Sequence, residues 1–137
     1  MHNENLDELL KAIKKGDIVR FKQALADDYS LAHSLLHNVY YPIHVACEYN
    51  RLLMVKLLVT EHKVDVNSKC KLTGYTPLMY ACQVGNQDII DYLAQKEIGS
   101  DLSAKSLAGR TVYEILVDSG FLSAADHFRK IDNDLKL

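Results

Sequence analysis

The sequence predicts an all-α fold, a solenoid of about four helix–turn–helix units. Three observations predict it. First, Gly74-Tyr75-Thr76-Pro77-Leu78-Met79-Tyr80-Ala81-Cys82 is a turn that runs straight into a helix, and a second apolar stripe, Ile89, Ile90 and Leu93, follows it. Second, the unit recurs: Tyr41, Thr76 and Thr111 stand 35 residues apart, each opening a similar segment. Third, a break falls inside every unit, at Gly16-Asp17, Asn50-Arg51, Gly85-Asn86 and Gly120-Phe121. A helix pair of this length cannot bury its apolar face alone, so successive pairs stack.

The first unit opens at Asn5, an expected N-cap, with Glu8 three residues later as in a capping box. Leu6, Leu9, Leu10 and Ile13 then follow the spacing of one helix face. A second helix is expected from about Ile18 to Ala26, with Phe21 and Leu25 inward, then a connection through Asp27-Asp28-Tyr29-Ser30 and a lead-in from Leu31 to His37. This unit is unusually polar, as a terminal repeat with one flank in water must be.

In the third unit, Gly74 allows the positive φ of a tight turn. Thr76 can accept a free first-turn N–H, and Pro77 fits the first helical position because its missing N–H has no partner there anyway. The second unit is built alike, from Tyr41-Pro42-Ile43-His44-Val45-Ala46-Cys47 through Met54, Val55, Leu57 and Leu58. Small residues (Ala46 and Cys47, Ala81 and Cys82) let the first helices of neighbouring units approach closely. Glu61, His62, Lys63 and Lys69 are expected in a solvated loop, and Leu102 is expected to take the place of the apolar loop residue Val66. The fourth unit carries Leu116-Val117 in place of the small pair, and Arg129 where the second has Val59, a charge suited to a terminal face. Asp132 to Leu137 is expected to fray.

These units resemble the ankyrin repeat family. Pro42, Ile43, His44, Ala46, Leu57, Leu58 and the loop Val64-Asp65-Val66-Asn67 carry the likeness in one copy, and Thr76, Pro77, Leu78, Ala81 and Gly85 in the next. Tyr41, Met79 and Val112 depart from the family's Thr, His and Pro. The resemblance implies one domain over 1–137, a small stand-alone member with β-turn fingers, capping terminal repeats and repeats near 5–35, 36–70, 71–105 and 106–137. It also implies a turn-bonding role for His44.

Composition narrows the function. A net charge of −2 gives no global pull toward nucleic acid or an anionic membrane. Residues Met1 to Asp7 do not read as a targeting peptide, and the apolar run Leu57-Leu58-Val59 is far too short to span a bilayer. A cytoplasmic or nuclear monomer is expected. Cys47 and Cys82 share one slot in successive units; helices packed roughly 8–10 Å apart exceed the roughly 7 Å Cα limit of a disulfide, so both read as small buried hydrophobes. Cys70 reads as a more exposed loop thiol. His33, His37, His44 and Cys47 offer a zinc set and Cys70 between Lys69 and Lys71 a nucleophile, but neither assembles the converging partners its chemistry needs. The expectation is a non-enzyme with no cofactor and no bound metal; a small metal-binding protein is the remote alternative.

The chain has eight Tyr and no Trp. On the family's geometry, turn tips and exposed sides of the first helices share a concave face. Tyr40 and Tyr75 fall at turn tips, Tyr80 and Tyr49 on the inner helices, and Leu72 and Arg110 on the turns. Lys11 and Lys14, then Val45 and Glu48, then Tyr80 and Gln83, then Ile115 and Asp118 follow the same stripe, basic at one end and acidic at the other. Tyrosine supplies rigid contact area with a polar tip. The expected function is non-catalytic binding of a partner protein or peptide on this face, or alternatively an adaptor or inhibitory subunit that recruits an enzyme or cytoskeletal protein.

Overall fold

The computed structural model describes residues 4–136. Eight α-helices among them run α1 (Glu4–Lys15), α2 (Ile18–Asp27), α3 (Pro42–Glu48), α4 (Leu52–Thr60), α5 (Pro77–Val84), α6 (Gln87–Leu93), α7 (Val112–Asp118) and α8 (Leu122–Lys136). Each odd-numbered helix packs on the even-numbered helix after it, and α1, α3, α5 and α7 stack side by side as an inner row. The expected solenoid of helix pairs is present.

Local chemistry sets the helix ends. The Thr76 hydroxyl accepts from the Met79 N–H, and Thr111 accepts likewise from Glu114. Tyr41 has no hydroxyl near its backbone, and there His44 closes the turn instead: its Nδ1 accepts the Tyr41 N–H at 3.0 Å. Gly85 ends α5 with φ +76°, a left-handed conformation that favours glycine. The first residue after each break then covers the preceding inner helix. Arg51 donates to the carbonyls of Ile13 (2.8 Å) and Lys14 (2.6 Å), Asn86 donates to that of Cys47 (2.9 Å), and Phe121 lays its ring on Gly85. One slot, 35 residues apart, thus adds a side-chain donor to the last carbonyls of the preceding inner helix twice and packs apolar surface once.

The core is continuous between the two rows. Ala46, Cys47, Ala81 and Cys82 are fully buried, which is how the inner helices come close. Phe21, Leu25, Leu58, Ile89, Ile90 and Leu93 fill the space behind them; burial of such a side chain stabilises by roughly 1.5–3 kcal/mol. Leu102 and Val66 both lie half-buried against this core, as expected.

Several expectations need correction. Asn5 lies inside α1 rather than capping it. The stretch after α2 is a 3₁₀ helix, Tyr29–His33, that sends Leu31 and Ala32 into the core. His62 is buried, not solvated: the Tyr29 ring stacks on it at 4.7 Å while the Tyr29 hydroxyl donates to the Glu61 carbonyl. Burial lowers the His62 imidazole below its ordinary value, with Glu61 opposing and His33 assisting. Residues 132–136, expected to lie in the tail, belong to α8. Met1 to Asn3 and Leu137 lie outside the described residues.

Candidate functional site

The fingers between helix pairs position one face. Each is a tight hairpin closed by a backbone bond: Leu36 N–H to Tyr40 O (2.7 Å), Cys70 N–H to Tyr75 O (2.8 Å) and Ser106 N–H to Arg110 O (2.9 Å). Neighbouring fingers are joined by Lys71 N–H to Val39 O (2.7 Å) and Leu107 N–H to Thr73 O (3.0 Å). The first residue of each hairpin (Leu36, Cys70, Ser106) points inward and is buried. That is why Cys70 is only 3 % exposed and not the open loop thiol expected.

Where the first two of these fingers meet the inner helices there is a hollow of about 290 Å³. Among the residues expected to bind, Lys14, Tyr40, Glu48, Tyr49, Leu72 and Tyr80 line it. Tyr75 stands beside it, its ring 5.4 Å from that of Tyr80 in an edge-on contact. Tyr80 is in turn 5.4 Å from His44, and His44 5.9 Å from Tyr41, so four rings run across the joint between two helix pairs. Lys14 sits over the Tyr49 ring at 5.9 Å. Lys11, Gln83, Arg110 and Asp118 fall outside the hollow; Val45, though buried, lines its floor, and Ile115 is a core residue away from it. The acidic end of the stripe is neutralised, because Arg110 pairs with Asp118.

The floor of the hollow is a polar cluster that sequence reasoning missed. Burial pushes the Cys70 thiol up, but hydrogen bonds from the Tyr80 and Thr73 hydroxyls and from the Thr73 and Leu72 N–H groups together hold it below the ordinary thiol range. Burial, then the bond to Cys70, raises the Tyr80 hydroxyl. The signal was weak in the sequence, since the inward turn of Cys70 depends on finger pairing across 35 residues. Cys47 and Cys82 are pushed up by burial and are inert core thiols.

His44 has the turn-bonding role. Its Nδ1 is occupied by the Tyr41 N–H, so Nε2 holds the proton and donates to the Ser68 carbonyl at 2.8 Å. Burial holds this imidazole down at about 4, with the Ser68 bond opposing. Neither nitrogen is open to a metal, and among the described residues no group of three or more His, Cys, Asp or Glu side chains is placed to hold one.

A family model of ankyrin repeats, three copies, matches residues 4–106. The chain belongs to the ankyrin repeat family. Ankyrin repeats are generally protein–protein interaction modules, and the family is typically non-catalytic. Among similar proteins is the ankyrin repeat and SAM domain-containing protein 6 of Rattus norvegicus, 26% identical over 80% of this chain and 12% of that protein. The BRCA1-associated RING domain protein 1 of Caenorhabditis elegans is 36% identical over 54% of this chain and 10% of that protein. Alpha-latrocrustotoxin-Lt1a of Latrodectus tredecimguttatus is 39% identical over 47% of this chain and 4% of that protein. The chain therefore spans a small fraction of these relatives' lengths. Among the described residues no helix of this ankyrin repeat chain is long and apolar enough to cross a membrane.

Proposed function

We propose that the chain is a non-catalytic binding module that holds a protein or peptide partner in the hollow framed by Tyr40, Glu48, Tyr49, Tyr75 and Tyr80. The observation that supports this reading is the hollow itself, tyrosine-lined and set on a rigid joint between two helix pairs. Tyrosine anchors flanked by polar groups are the composition of interface hot spots. A scaffold whose fingers are already bonded to one another loses little conformational freedom on binding, so a modest contact area gives useful affinity. The repeats near 5–35, 36–70, 71–105 and 106–137 act here as one binding unit. Lys14 and Leu72 line the hollow with the tyrosines, and Lys11, Gln83, Arg110 and Asp118 extend the surface beyond it.

Affinity capture with mass spectrometry tests the reading. The wild type is compared with Tyr40→Ala/Tyr75→Ala/Tyr80→Ala, after circular dichroism shows the variant folded, and with Glu48→Lys/Gln83→Lys, whose exposed side chains leave the core untouched. A partner held by the wild type and lost by both variants is expected. Equal retention by both moves the binding surface off the concave face.

A further inference from the structure

The fingers differ in charge from the rest of the molecule. Residues 36–40, 69–75 and 104–110 contain Lys69, Lys71, Lys105 and Arg110 and no Asp or Glu, in a chain whose net charge is −2. Arg110 is matched by Asp118, but among the described residues the three lysines make no ion pair. They are held in register, because backbone bonds join the fingers and the Lys69 ammonium donates across to the Lys105 carbonyl at 3.5 Å. Two large apolar side chains stand among these cations, Leu72 and Leu107, each 74% exposed. The finger edge is thus a row held in register that carries three exposed lysines and two exposed leucines, and it leads into the tyrosine hollow through Leu72.

We infer that this edge selects an acidic polypeptide segment in which carboxylates alternate with apolar side chains. The inference rests on the groove reading and names the chemistry of its partner. Opposite charge steers encounter and fixes register, while leucines left in water gain by covering. Nucleic acid fits less well: it carries about one charge per 1.7 Å of duplex, and such a polyanion would run past three lysines onto the acidic remainder of the chain. A lipid surface would meet two leucines on hairpin tips and no amphipathic helix face.

Selection of random linear peptides on the immobilised wild-type chain tests this. The selected peptides are then titrated against wild type, Lys69→Glu/Lys71→Glu/Lys105→Glu, Leu72→Ser/Leu107→Ser, and the triple tyrosine variant; all finger substitutions are at exposed side chains. Enrichment of Asp and Glu interspersed with apolar residues is expected, with affinity falling roughly tenfold or more on lysine reversal and falling with added salt. Serine at the two leucines should weaken binding without changing its salt dependence. Peptides that lack acidic enrichment, or that bind the lysine-reversed chain equally well while the tyrosine variant loses them, overturn the inference and leave the groove reading standing. Peptides indifferent to every variant, or no selectable peptide at all, overturn both. Lysine-dependent binding of an oligo-dT strand or of phosphatidylserine vesicles tighter than that of any acidic peptide overturns the inference in favour of that polyanion.

Discussion

His44 shows how one side chain couples turn, helix and pH. It is 1% exposed, bonded at both nitrogens and neutral in the fold. Its folded value of about 4 lies below the ordinary 6.5, so between those two pH values the unfolded chain binds more protons. Stability from this group is then complete above about 6.5 and drains away as pH falls toward 4, by on the order of 3 kcal/mol. Urea titrations at stepped pH should show that loss in wild type and a much flatter profile in His44→Gln, measured as the difference between the two. His62, also lowered, drains in the same direction and is common to both chains. A second residue-scale test concerns Lys63, which has φ +54° without being glycine. A left-handed lysine is strained by about 1–2 kcal/mol, partly offset by the extra chain entropy a glycine would lose. Lys63→Gly should therefore raise stability by roughly 0.5–1 kcal/mol in a denaturant titration.

At the scale of elements, the covering slot after each helix break is the most exacting feature. A Cβ at Gly85 would lie 2.6 Å from the Phe121 ring, and the residue has φ +76°. Gly85→Ala combines clash with backbone strain and should cost about 2 kcal/mol or more, read as a lower melting temperature. Arg51→Ala should cost about 1–2 kcal/mol by removing the guanidinium donor from the Ile13 and Lys14 carbonyls. Most of these elements were legible in the sequence. The Thr76-Pro77 start, the Gly85 stop and the stripe Ile89, Ile90, Leu93 each follow from backbone chemistry within a few residues. What escaped was set by partners far along the chain. Cys70 is buried because a finger 35 residues away pairs with its own, and His62 is buried because Tyr29 folds over it. The expected Asn5 cap falls one residue inside α1, within the spread of a residue or two that helix ends allow.

For the whole molecule, the stacked pairs act as one rigid frame whose two faces differ. The outer helices carry aliphatic packing, while the inner helices and fingers carry most of the tyrosines and the three finger lysines. That tyrosines would gather was legible from spacing combined with the family resemblance. That the charge lies along the fingers rather than from end to end was not, because the pairing of Arg110 with Asp118 depends on how a finger folds back over α7. The central claim is that binding happens on this face. Hydrogen–deuterium exchange of the chain with and without its captured partner measures that most directly. The account predicts new protection in the fingers and inner helices, over residues 37–49, 69–83 and 104–110, with α4 and α6 unchanged. Protection of α4 and α6 with none in the fingers and inner helices would contradict it.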